Sequence, residues 1–139
     1  MGHRYRIFGT TADVGVVSRG RDLQEAFENQ AAGMFSVMVD LRTVTTGRSF
    51  KVKAVGHDNE SLLASFLEEL LFIYDTKQVF LKQFRITRLD GHTLTAEAKG
   101  EDINPRRHII KTPVKAVTYH MLNVEVLPGT VKTTVVYDI

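Results

Sequence analysis

The chain has 139 residues, 43% hydrophobic and 24% charged, with 18 Lys and Arg against 16 Asp and Glu, which fits a single soluble domain spanning 1–139 and able to bury one core. The two signs interleave, so no basic nucleic-acid arm stands out, and the absence of cysteine excludes disulfide staples, thiolate metal sites and a cysteine nucleophile. The longest apolar run, around Leu70 to Ile73, is too short to span a bilayer, and Met1-Gly2-His3-Arg4 has no apolar segment behind it to make a secretory signal, so the expected location is the cytoplasm.

Tyr5 to Phe8 and Val14 to Ser18 are short β-prone runs on either side of Gly9-Thr10-Thr11-Ala12-Asp13, so the chain is predicted to open with two strands and an acidic connection. Asp22, three residues before Glu25, is an acidic capping box, and it opens the apolar series Leu23, Ala26, Phe27, Ala31, Met34, Phe35, Met38 of an amphipathic helix. Gly33 interrupts that helix at a cost of about 1 kcal/mol against Ala, which a closely packed second backbone would explain. The Met and Phe stripe reads as core. Residues 40–49 lack periodicity, and Phe50 to Val55 alternates as a strand. His57 falls in the following break and reads as a surface residue, with Asp58 or Asn59 as N-cap of a second helix carrying Leu62/Leu63, Phe66/Leu67, Leu70/Leu71 and Tyr74.

From Val79 onward the pattern is β. Phe84 to Thr87 and Leu94 to Ala98 alternate around Asp90-Gly91, a hairpin signal that predicts antiparallel pairing. Pro105-Arg106-Arg107-His108 is a small basic patch on a polar loop, read as solvated. Val114 to His120 fits neither period cleanly and is expected to be a short helix turning into a strand. Asn123 to Leu127 and Val131 to Tyr137 are strands about the Pro128-Gly129 turn. The expected fold is α+β, two amphipathic helices packed on a largely antiparallel sheet.

No phosphate loop, nucleophile elbow, helical histidine pair or dinucleotide fingerprint occurs. Thr118, His120 and Asp138 are the residues from which a nucleophile, base and orienter would have to be drawn. At the end of the sequence Asp138 stands beside the α-carboxylate of Ile139, and Asp13 is a candidate third anion. Three carboxylates brought together call for a metal ion or a partner's Lys or Arg among them, whereas a frayed terminus and a turn-capping Asp would need neither.

Six segments, Thr11-Ala12-Asp13-Val14-Gly15, Asp22 to Asn29, Gly33 to Met38, Leu67 to Asp75, Val114 to His120 and Asp138-Ile139, together resemble the archease family in order and across the whole chain. The resemblance implies a small α+β protein, not itself an enzyme and with no catalytic residues of its own, that serves the GTP-dependent RNA-splicing ligase of tRNA splicing. It would promote guanylylation and repeated turnover of the ligase, meeting RNA only indirectly and neither DNA nor membrane. It also implies metal ligation by Asp13, Asp138 and Ile139. An all-oxygen donor set suits Ca²⁺ or Mg²⁺ over zinc, and calcium, which tolerates an irregular shell, is the expected ion. Lys115 and His120 are the expected partner contacts. One departure stands out: the family commonly carries Asp-His just before Thr-Ala-Asp, and here Gly9 and Thr10 occupy those places. The rival readings are an independent metal-dependent phosphoester hydrolase and a chaperone-like or RNA-binding module.

Overall fold

A computed structural model describes residues 4–9 and 12–139. Both expected helices form, each started by an aspartate. The Asp22 carboxylate accepts the Glu25 N–H at 2.9 Å and opens α1 (Leu23–Met38), while Glu25 reaches back one residue further than a standard capping box, to the Arg21 N–H at 3.0 Å. Asp58 accepts the Ser61 N–H at 2.7 Å, Ser61 closes the reciprocal box, and α2 (Asn59–Lys77) runs until Gln78 takes the left-handed conformation at φ 53°.

The strands divide between two antiparallel sheets. The first comprises β1 (Tyr5–Gly9), β2 (Asp13–Gly20), β6 (Ala116–Val117), β7 (Asn123–Leu127) and β8 (Thr130–Asp138), in the order β1-β2-β8, with β6 and β7 sharing the far edge of β8. The second is β3 (Arg48–Val55), β5 (Thr93–Asp102) and β4 (Val79–Leu89), with β5 central. Each helix touches both sheets, so the two amphipathic helices join them over one hydrophobic cluster that includes Phe27, Met34, Phe35, Phe66, Leu67 and Phe80. This is the α+β architecture that the alternating and helical periodicities predict.

Three local expectations change, and one is borne out with added detail. A Cβ on Gly33 would meet the Val16 Cγ1 at 2.5 Å and the Tyr5 ring at 3.2 Å, so side chains of the first sheet, not a second backbone, require this glycine. The β4–β5 hairpin forms antiparallel where Asp90-Gly91 predicts it, closed by the Asp90 side chain, which accepts from the N–H groups of His92 and Thr93 at 2.9 and 2.8 Å. Those bonds hold its carboxyl at about 2. The segment Val114 to His120 contains no helix. It is an extended arm with two paired residues, because its N–H groups find carbonyls on the edge of β8 and not four residues back. His108, expected on a solvated loop, is buried: its Nδ1 accepts the Asn104 N–H at 2.9 Å and its Nε2 faces Glu101 Oε1 at 2.7 Å, while Arg107 pairs with the same carboxylate. The Arg107 bonds, first of all, hold Glu101 well below the usual carboxylate range.

Candidate functional site

The β2–β8 ladder sets the position of the expected carboxylates. Its register runs from Gly20 opposite Val131 to Asp13 opposite Asp138. Period-two alternation turns Val16 and Ser18 of β2, and Val131, Thr133, Val135 and Tyr137 of β8, toward the helices. A one-residue slip would reverse every one of these side chains, which is why the register is firmly specified.

A buried polar network fixes it further. Gln30 of α1 donates to the Val16 carbonyl at 3.0 Å and to Thr133 Oγ1 at 2.7 Å, and it accepts from the Tyr137 hydroxyl at 2.8 Å. Ser18 donates to the Ala26 carbonyl at 2.8 Å and lies 2.6 Å from the Thr133 hydroxyl. No buried side-chain N or O among the described residues is left unsatisfied, so the network adds specificity without an orphaned group. Burial pushes the Tyr137 phenol well above its ordinary value.

With Tyr137 pointing inward, Asp138 must point outward, on the same face as Asp13. Its main chain is held from the other side too. The Lys115 N–H donates to the Asp138 carbonyl at 2.8 Å, and Thr118 gives both its N–H, at 3.0 Å, and its hydroxyl, at 2.7 Å, to the Val136 carbonyl. Ile139 is half-buried against the hydrophobic cluster. The end of β8 is therefore an ordered, paired strand, with Asp138 exposed and Asp13 half-buried opposite it.

The ordering suits a hard cation chemically. Two carboxylates directly opposite on adjacent strands repel, and a third at Ile139 would complete an all-oxygen set of the kind that binds Ca²⁺ or Mg²⁺ with water filling the remaining positions. Among the described residues no three His, Asp or Glu side chains gather; Asp13 and Asp138 are the pair that the ladder sets opposite one another. A Cβ on Gly9 would meet the Asp13 carbonyl at 2.7 Å and the Val14 Cα at 3.0 Å, so the backbone in this conformation leaves no room for a side chain at that position. Thr10 and Thr11 lie outside the described residues.

The other sequence candidates separate. Lys115 and His120 are both exposed, Lys115 next to Asp138 through its backbone and His120 in the turn that ends at Met121, whose φ is 59°. Thr118, His120 and Asp138 do not form a triad: the Thr118 hydroxyl is committed to a carbonyl, and neither His120 nor the Asp138 carboxylate takes part in a side-chain hydrogen bond with the others. The Glu101–Arg107–His108 cluster, which sequence reading missed, is a structural clamp tying 104–108 to β5 and, through Thr45, to the loop before β3. Its one available signal was the spacing of Glu101 from two cations, which does not distinguish a clamp from a solvated loop.

A small α+β protein in which the ends of two central strands bring aspartates together on an open sheet face is the class defined so far. The profile described as the Archease protein family (MTH1598/TM1083) matches residues 5–139. The chain is 36% identical over 137 residues to "Protein archease" of Sulfolobus acidocaldarius, covering 98% of this chain and 99% of that protein. Its fold is similar to the solution structure of Methanobacterium thermoautotrophicum protein 1598, with a TM-score of 0.85 and 39% identity, covering 99% of this chain and 100% of the other. It is also similar, with a TM-score of 0.67 and 20% identity over the whole of both chains, to a Thermotoga maritima protein described as an archease, possible chaperone. The chain belongs to the archease family.

Proposed function

We propose that this chain is a non-catalytic protein cofactor of the GTP-dependent RNA-splicing ligase, promoting its guanylylation and multiple turnover in tRNA splicing. The observation that carries this reading is the cross-strand pairing of Asp13 with Asp138 in a chain of this family. Asp13, Asp138 and the Ile139 carboxylate would hold calcium, with magnesium the alternative. Once bound there, the cation would supply a partly hydrated positive centre to phosphate oxygens or partner carboxylates. The chain's own residues do the positioning: Tyr137, through Gln30, and the Lys115 N–H fix where Asp138 stands, and the exposed Lys115 and His120 side chains face a docked ligase. A chaperone-like role is the second reading, favoured by the exposed Tyr119 and Met121 on the same arm.

The test is guanylylation of purified ligase with GTP and divalent metal, with and without this chain. The native protein is expected to stimulate, Ile139→Val to do so equally, and Asp138→Ala to fail while keeping its melting curve. Residues appended after Ile139, which turn its carboxylate into an amide, should fail as well. Native-level stimulation by Asp138→Ala would overturn the reading, and GTP hydrolysis by the chain alone that disappears in that variant would favour a hydrolase.

A further inference from the structure

The outer face of the five-stranded sheet carries a second row of like charges, at the end away from the aspartates. Arg19 lies opposite Lys132 across β2–β8, and opposite Arg4 on the β1 side, where its N–H donates to the Arg4 carbonyl at 3.0 Å. Cross-strand neighbours project from one face, with adjacent strands about 4.8 Å apart. Two guanidinium groups and an ammonium therefore stand abreast across three strands. Arg6, opposite Val17, adds a fourth cation on that face, about 6.8 Å along β1 from Arg4. Arg4, Tyr5, Arg6, Ile7, Val17 and Arg19 line a shallow depression of about 430 Å³ there.

Like charges directly opposite one another destabilise a sheet, and of these four cations only Lys132, with Glu125 opposite it on β7, has an acidic cross-strand neighbour. Among the described residues none of the four cations makes an ion pair. Glu25, which Arg21 holds at 2.9 Å, also feels the charge of Arg4. One row further along the same face lies the half-buried Phe8 ring, packed over Gly15. Guanidinium forks match phosphate oxygens, and an aromatic ring beside a basic strip is the arrangement that tracks a nucleic-acid backbone and stacks a base.

We propose that the Arg4–Arg19–Lys132 row, with Arg6, binds the phosphate backbone of RNA, so that this chain touches RNA directly and not only through a protein partner. This goes beyond the ligase reading and is tested without the ligase, so the two stand or fall separately. The assay is fluorescence anisotropy of a labelled single-stranded RNA with the purified chain. With four contacts, log K should fall against log salt with a slope of about −3, so that raising salt from about 50 to about 200 mM weakens binding about 50-fold. Arg6→Gln with Arg19→Gln should halve the slope and reduce that loss to about 7-fold. Lys51→Gln with Lys53→Gln, on the other sheet, should leave the slope unchanged, and circular dichroism verifies that both double variants fold. Equal slopes in the two double variants, or no binding at the lower salt, would overturn the proposal. Polyglutamate competing as well as unlabelled RNA would also overturn it, in favour of an acidic protein partner.

Discussion

The outer faces of the two sheets are built from the same kinds of residue and arranged in opposite ways. On the three-stranded sheet, Lys51, Glu97 and Arg85 form one cross-strand row of alternating sign, with Glu97 3.6 Å from Arg85 and 3.8 Å from Lys99. Beside it Thr87 and Thr95 bring their hydroxyls to 3.1 Å. Glu97 there sits between cations on both sides of it. On the five-stranded sheet, Asp13 meets Asp138 at one end and Arg4, Arg19 and Lys132 line up at the other, with Glu125 beyond Lys132 on β7. Rows of one sign cost stability, and a face that keeps them is organised for something of the opposite sign. Net charge, only +2 for the whole chain, hides this contrast completely.

The comparison breaks most decisively under calcium. Calorimetric titration should lose at least about 100-fold in affinity in Asp13→Ala and in Asp138→Ala, since even groups behind a metal's direct ligands typically change affinity 10- to 100-fold. Glu97→Ala, a carboxylate in the alternating row, should leave the titration unchanged. Equal binding by all three variants would remove the distinction between the faces.

A smaller effect probes how self-contained the three-stranded side is. Glu101 has a lowered folded-state pKa, because Arg107, His108 and Thr45 bond its charged form. Its contribution is therefore fully present above the unfolded carboxyl value, about 4.3, and is lost as pH falls through the lower folded value. Urea unfolding should show Glu101→Gln about 1 to 3 kcal/mol less stable at neutral pH, with the gap to the native protein narrowing as pH drops below that value. A gap independent of pH would mean that the clamp acts by shape alone.

The smallest effect has the sharpest sign. Removing a charge from the alternating row, Glu97→Gln, should destabilise by about 0.2 to 1 kcal/mol. Removing one from the like-charge row, Arg19→Gln, should stabilise by a similar few tenths, and both effects should shrink with added salt. Melting temperatures measured side by side decide it, and destabilisation by both substitutions would contradict the reading of the two faces.

Much of the fold was legible because it is written locally. Asp22 and Asp58 cap the helices that their following apolar periodicities demand, Gly129 turns β7 into β8 at φ 74°, and β4, β5, β7 and β8 follow alternation already present in the residues. Errors fell where a residue's partner belongs to a different element of the fold. Val114 to His120 has no period of its own because its bonds go to β8. His108 looked solvated because its carboxylate partner, Glu101, belongs to a strand, and the Phe80 ring that it meets edge-on at 5.3 Å lies in another. Of the candidate site, the sequence offered Asp13, Asp138 and Ile139 as oxygen donors, and the structure adds that Asp13 and Asp138 are cross-strand neighbours.

By itself, then, the sequence determined the two helices, the longer strands and the membership of a family, since each depends on residues near one another or on their order. Only the tertiary structure decided that the strands split into two sheets and that Asp138 faces Asp13. It alone brought Arg4, Arg19 and Lys132 abreast. Those facts rest on pairing β2 with β8 across more than a hundred residues. That register is chosen by burying Tyr137 against Gln30, a contact that no local pattern encodes.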